Sequence, residues 1–205
     1  MHRRLIISLL LLICASLLAA AQNDMPLFEF GIEWGSTSTL YSSKHQNYTS
    51  DEGYRINETH SGWTFIGGGY FTVNLGVNAT RWLNIGINTG FAGIAEGRRA
   101  IPLTARATVY PKGMNNDGML CFFDGGVGFT DYRQPSKTCT LLSAGTGYHF
   151  AFSRLMGMNL ICKIRFAGDH PDIIDIDSGK TVPSGRIREN KAGYWSLNFG
   201  IALDF

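Results

Sequence analysis

Apolar residues recur at every second position through most of this chain. The clearest run closes it: in WSLNFGIALDF, Trp195, Leu197, Phe199, Ile201, Leu203 and Phe205 alternate with Ser196, Asn198, Gly200, Ala202 and Asp204. A period of two marks a β-strand with one apolar face. Eight segments carry it, at residues 27–39, 63–77, 83–95, 101–110, 119–131, 140–153, 158–167 and 194–205. Each is near or above the ~9–11 residues that a tilted strand needs to cross a bilayer. Past the first two dozen residues almost no stretch has a helical period.

The spacing between segments adds topology. Short connections are expected at 78–82, 111–118 and 154–157, long ones at 43–62 and 168–193, and intermediate ones after the third and fifth strands. Short turns on one rim and long loops on the other are the habit of membrane barrels. All six prolines (Pro26, Pro102, Pro111, Pro135, Pro171, Pro183) read as strand-end or connection residues. That suits closure, because a closed barrel has no free edge to hold a mid-strand proline.

Charge then separates the two faces. The mid-strand charges are Glu29, Glu33, Arg106, Asp124, Lys163, Arg165 and Asp204, and each is out of phase with its strand's row of large apolar residues. A soluble barrel or sandwich would turn the aromatics inward and the charges outward. Here the polar face is mostly Gly, Ala, Asn, Ser and Thr, poorer in Lys and Glu than a soluble exterior. Small residues suit a narrow lumen, and a lipid-facing Arg or Lys at the midplane costs ~2–4 kcal/mol. Trp34, Trp63, Trp82, Tyr148 and Trp195 are expected to form two interfacial girdles. The pattern predicts an all-β, closed, antiparallel eight-stranded transmembrane β-barrel.

Composition supports this and adds a leader. The 25 glycines and 12% aromatics favour turns and strands over a helical bundle. His2, Arg3 and Arg4 precede an apolar run from Leu5 to Leu18, and Ala19, Ala20 and Ala21 supply small residues for cleavage. Residues 1–21 therefore read as a signal peptide and 22–205 as the barrel domain. The apolar run is short for a membrane-spanning helix, and Ile13 before Cys14 argues against a lipoprotein. Without the leader, sixteen bases balance sixteen acids, which is not the basic excess of a nucleic-acid binder. Cys121, Cys139 and Cys162 then remain, an odd number without zinc spacing, and read as small apolar fillers.

The terminal motif carries a resemblance. Asn198, Gly200, Leu203 and Phe205 match a polar, any, Gly, any, any, hydrophobic, any, aromatic pattern. With the leader and the alternation, the mature chain resembles the small eight-stranded outer-membrane barrels of Gram-negative bacteria, especially the porin-family-like barrels of the Bacteroidota. The resemblance implies that these four residues form an assembly signal. It also implies as partners the barrel-assembly machinery, periplasmic chaperones and outer-membrane lipid, with a monomeric barrel and no cofactor.

Candidate chemistry is sparse. Eight strands leave a lumen just wide enough for side chains to fill, so the seven interior charges read as a salt-bridge and hydrogen-bond network. Arg106 and Asp124 are a candidate pair on adjacent strands, and a gated ion path is the sharper alternative. Some outer-membrane barrels modify lipid A with a His/Ser/acid set. His149 and Ser153 are the nearest candidates, but parity turns His149 inward and HFAFS lacks the His-x-Ser-Asn pattern of the deacylases. No G-x-S-x-G, P-loop or H-E-x-x-H occurs. Asp169, Asp172, Asp175 and Asp177 lack EF-hand spacing and read as solvated loop charges. The sequons at Asn47, Asn57 and Asn78 read as chance matches. No catalytic, cofactor or metal residue is assigned. The expected role is structural or surface-interacting, through loops that meet an unnamed extracellular ligand. A narrow channel and a lipid A-modifying enzyme are the alternatives.

Overall fold

The computed structural model describes residues 26–95, 98–130 and 137–205. The leader with its cleavage site, Asp131 and Pro135 lie outside them. Eight strands follow in order: β1 (Phe28–Thr49), β2 (Arg55–Thr80), β3 (Leu83–Ala95), β4 (Arg98–Val109), β5 (Gly118–Phe129), β6 (Thr138–Ala151), β7 (Gly157–Asp169) and β8 (Ile187–Asp204). Each pairs antiparallel with its sequence neighbours, and β1 pairs with β8, so the sheet closes into a ring. The only helical element among the described residues is one 3-10 turn, Ser184–Arg186.

Closure accounts for the terminal phenylalanine. Phe205 and Phe30 exchange both backbone hydrogen bonds, at 2.7 and 2.9 Å. Their rings lie 6.4 Å apart. The last residue is therefore zipped into the seam and not left to fray.

Side chains alternate as the pleat requires. Phe71, Leu75, Ile85, Ile87, Phe91, Leu103, Phe123, Ile164 and Phe199 face outward and are exposed. β4, at 12 residues, rises about 30 Å when tilted by ~40°, so this apolar belt matches a hydrocarbon core. Trp82 and Tyr148 edge the belt on the rim that carries both termini. Trp63 and Trp195 edge it on the opposite, hairpin rim, both in register with Tyr41. Trp34 belongs to neither girdle. It pairs with Phe71 and Ile201, midway along the wall, because β1 runs well past the residue 39 at which its alternation fades.

That overrun corrects the expected loops. Backbone pairing of β1 with β2 continues to Thr49–Arg55, and β1 with β8 to Tyr48–Ile187. The 43–62 connection is therefore a long hairpin whose turn is only residues 50–54, and 168–193 shrinks to 170–186. A three-stranded blade, β2–β1–β8, projects beyond the barrel. On its outer face β1 turns polar from Ser42 to Thr49 while the backbone ladder persists. The rims are also less asymmetric than the alternation suggests. The β3–β4 connection is only residues 96–97, whereas residues 110–117 link β4 to β5 on the terminal rim.

Pro102 is a second correction, since it lies inside β4. The β3–β4 ladder passes from Thr89–Leu103 to Ala92–Ala100 without pairing Ile101 or Pro102 to β3. Proline's missing N–H is tolerated at that gap.

The lumen is layered. Near the hairpin rim it holds Ile94, Ala100, Cys139, Leu141, Ala167, Ala192 and Tyr194, all buried. Near the terminal rim it holds Tyr110, Met114, Leu120, Phe122, Ile161 and Ala202. The polar face thus carries an apolar cluster near each rim. Of the three cysteines among the described residues, Cys139 is buried, Cys162 half-buried and Cys121 exposed on the belt, and all three are free. Cys121 therefore fills no core.

Candidate functional site

Between the two apolar layers lies a charged one. Glu33 on β1 accepts hydrogen bonds from Arg106 Nη1 and Lys163 Nζ, both at 2.6 Å. Arg106 on β4 also forks onto Asp124 of β5, Nε to Oδ1 at 2.6 Å and Nη2 to Oδ2 at 2.9 Å. Register sets that fork, because Arg106 and Asp124 are directly opposed. Ser143 Oγ donates to Asp124 Oδ2 at 3.1 Å. Lys163 Nζ lies 4.3 Å from the Tyr70 ring centroid, and Arg106 Cζ 4.5 Å from that of Phe122. Two acids and two bases, all buried, form a formally neutral quartet. Charges out of water are tolerable when paired and hydrogen-bonded in this way.

The structure brings four of the seven interior charges together and leaves three apart. Arg165 has no carboxylate within salt-bridge distance among the described residues; it donates to Thr37 Oγ1 at 3.2 Å and to the Gly93 carbonyl. Glu29 accepts from Asn84 Nδ2 at 3.2 Å, and Asp204 accepts from Asn159 Nδ2. Both lie closer to the terminal rim and share a lumenal cavity of about 20 Å³, room for about one water. Asparagines extend this polar layer: Asn74 donates to Asn88 at 2.6 Å and Asn84 to Asn78 at 2.7 Å. Inward parity alone points to all four. The inward Leu120, Phe122 and Ile161 were also legible by parity but lie among small residues that mask them.

In the terminal motif, Asn198 is fully buried and its Nδ2 donates to the Lys163 carbonyl at 3.4 Å. Gly200 has a packing reason of its own. A Cβ there would sit 2.1 Å from Tyr70 Oη and 2.7 Å from the Trp34 carbonyl oxygen. Leu203 and Phe205 face outward beside the seam.

On the hairpin rim, residues 170–186 fold back over the β1–β2 turn and make one ordered cap. Tyr48, Ile56, Ile173 and Val182 are buried together, with Ile187 against them. Asp51 N donates to Asp175 Oδ2 at 2.7 Å, Tyr54 Oη to Asp177 Oδ2 at 2.5 Å, and Arg186 pairs with Asp51. The hydrogen bond to Asp177 pushes the Tyr54 hydroxyl up to about 12. Hydrogen bonds from Ser178 and Arg186 hold the Asp51 carboxyl below its ordinary value. Ile174 and Ile176 are left exposed on the cap's outer side.

Only half of the acidic run is solvated: Asp172 and Asp177 are exposed, Asp169 and Asp175 are not. Asp169 pairs with Arg98 at 2.5 Å, Asp172 with Lys137, and Asp175 accepts the backbone N–H groups of Asp51 and Asp177. Asp169 and Asp175 are buried. Non-local partners consumed them, which spacing could not reveal. No group of three His, Cys, Asp or Glu among the described residues could hold a metal ion. His149 is buried and bonded through both ring nitrogens, to Asn159 Oδ1 at 2.6 Å and to the Met114 carbonyl at 2.7 Å. Ser153 sits in the exposed β6–β7 turn.

No protein-family model matches the chain, and no curated protein matches it. Among solved structures it is similar to the outer membrane protein OprG from Pseudomonas aeruginosa, at 11% identity over 88% of this chain and 97% of that one, with a TM-score of 0.49. It is also similar to Neisserial surface protein A, at 10% identity over 86% and 97% of the two chains, with a TM-score of 0.37.

Proposed function

We propose that the protein is an integral outer-membrane barrel whose lumen is sealed and whose role is surface interaction through the cap on its hairpin rim. The observation that carries this reading is the inverted polarity of the wall. Phe91, 60% exposed, faces out while Asn88, 3% exposed, faces in, and the ring has no open edge. Among sheets, only a closed barrel satisfies every backbone group inside a bilayer. With an even number of strands, both termini share a rim, which we assign to the periplasm; the cap then faces outward from the cell. The leader would be removed during export, and the zipped Phe205 would serve as the residue read during assembly.

Sealing favours this role over a channel. An apolar layer covers the neutral quartet on the hairpin side, and the cavity shared by Glu29 and Asp204 holds about one water. His149, with both ring nitrogens engaged inside the barrel, gives no support to a lipid-modifying enzyme. A rigid scaffold bearing an ordered polar cap is where binding commonly resides.

The test has two readouts. Folded protein should migrate differently from boiled protein on a detergent gel and resist carbonate extraction. Epitope tags at Gly53 or Gly179 should be detected on intact cells, and tags at Asn115 only after the outer membrane is broken. Release by carbonate would overturn the membrane reading; labelling of Asn115 on intact cells would overturn the orientation.

A further inference from the structure

The β2–β3 ladder ends on the hairpin side at Tyr70–Ala92, while β2 runs on beside β1 through Gly69, Gly68 and Gly67. A cavity of about 490 Å³ opens in that fork. Parity sets its walls. Gly67 and Gly69 share the outward row of β2 with Phe65 and Phe71, and Gly93 follows Phe91 on the outward row of β3. The floor is therefore bare backbone. The belt aromatics Phe71 and Phe91 line it on the hydrocarbon side, and Phe65, 83% exposed, stands beyond it toward Trp63. Arg99 is directly opposed to Gly93 and flanks the cavity.

The fold does not ask for these glycines. None of Gly67, Gly68 and Gly69 has a positive φ. A Cβ at Gly67 would meet nothing within 4 Å, and one at Gly69 would make only an ordinary contact, 3.6 Å from the Gly35 carbonyl oxygen. Glycine weakens a strand interior, and it marks places where a ligand or another backbone comes close. The edge also has backbone groups to satisfy. Residues 67–69 pair with β1 alone. Successive residues of an antiparallel strand turn their backbone groups to alternate sides, so at least one of the three faces the fork without a ladder partner. Arg98 Nη2 pairs with Asp169 at 2.5 Å, but its Nε is buried and unpartnered. Arg99 is exposed and has no carboxylate within salt-bridge distance among the described residues.

We infer that this cavity seats the phosphate of an outer-leaflet lipid, with an acyl chain lying over Phe71 and Phe91. Arg99 supplies the charge, Arg98 Nε and the open edge supply donors, and the glycine floor makes room for the headgroup. Trp63, on the same row, marks the headgroup level of this rim. A lipid fits better than an added peptide strand, because the cavity runs straight into the apolar belt and its unpaired charge is a cation. The inference rests on the membrane orientation proposed above.

Native mass spectrometry of the folded, detergent-solubilised barrel tests it, with diphosphoryl lipid A and phosphatidylcholine as probes. Wild type should retain one lipid A at concentrations where phosphatidylcholine is not retained. Arg99→Gln should weaken that retention about fivefold, the effect of one base near an anionic surface. Gly67→Leu should fill the cavity and abolish selective retention. Lys112→Gln, on the terminal rim, should bind as wild type does. Heat-modifiability of each variant establishes that it is folded. Equal retention of the two lipids by wild type, undiminished binding by either cavity variant, or an equal loss in Lys112→Gln would overturn the inference. So would displacement of lipid A by an excess of inorganic phosphate, which would make the ligand a free anion, or by an alternating Thr-Val octapeptide, which would make the cavity a strand-docking edge. Labelling of tags at Asn115 on intact cells would instead refute the orientation itself.

Discussion

Replacing Lys163 with leucine makes the lumen more hydrophobic and should nevertheless destabilise the barrel. Lys163 is 6% exposed and its Nζ is 2.6 Å from Glu33 Oε1. Its removal leaves Glu33 and Asp124 sharing Arg106 alone, so the sealed layer carries one uncompensated negative charge. Breaking a buried pair in this way costs ~3–5 kcal/mol. With a urea dependence of ~1–3 kcal/mol per molar, the unfolding midpoint in micelles should fall by about 2 M. Glu33→Gln should also destabilise, because it strands a positive charge in the same layer. The double variant Glu33→Gln, Lys163→Leu restores neutrality, so its loss should be well below the sum of the two single losses. Ile164→Leu, one residue along and facing outward, should be nearly silent. If Lys163→Leu shifts the midpoint no more than Ile164→Leu does, or the double variant loses the full sum, the inside–outside assignment and the quartet are both wrong.

Deleting Phe205 removes the backbone and ring contacts to Phe30; outer-membrane levels should drop and periplasmic precursor or fragments accumulate, as seen by fractionation, whereas wild-type levels would show that the residue is no address. Gly200→Ala should impair folding even with the rest of the motif intact, because its Cβ would collide with Tyr70 Oη; normal heat-modifiability would contradict the packing role. The cap should loosen in acid. The Asp51 carboxyl is held below its ordinary value, so its contribution is complete above the ordinary carboxylate range and is lost as pH falls through the lowered value. Protease cleavage within residues 170–186 should accelerate on that descent in wild type and lose this dependence in Asp51→Asn. A dependence that is unchanged in the variant would place the sensing group elsewhere. Planar bilayers containing the protein should show no steady conductance; regular single-channel steps would favour the channel.

How far the fold was legible follows from what period-two alternation encodes. It specifies faces, so Arg106, Asp124 and Lys163 were placed in the lumen by parity alone, and Arg106 with Asp124 by adjacency. It does not specify depth, which strand tilt and stagger set. Glu29 and Glu33 share a face, yet only Glu33 reaches the quartet, and Arg165 shares a strand with Lys163 but bonds to Thr37 and Gly93. The blade was hidden because β1 loses its apolar row after residue 39 while its backbone stays paired. The cap was hidden because its contacts, such as Tyr54 with Asp177 and Asp51 with Arg186, join polar residues more than a hundred positions apart. Pro102 was misplaced because a gap in the β3–β4 ladder leaves no local trace.

The central claim is that the apolar row faces lipid and the polar row faces a sealed lumen. Single spin labels placed in turn along β3, from Asn84 to Phe91, in protein reconstituted into liposomes, test it most directly. The account predicts that labels at Ile85, Ile87, Thr89 and Phe91 are relaxed by lipid-soluble oxygen, and that those at Asn84 and Asn88 are reached poorly by either oxygen or a water-soluble reagent; Gly86 and Gly90 are left unlabelled because a Cβ there meets neighbouring atoms. Oxygen access at the asparagine positions with protection at the isoleucines, or the absence of any two-residue period, would contradict it.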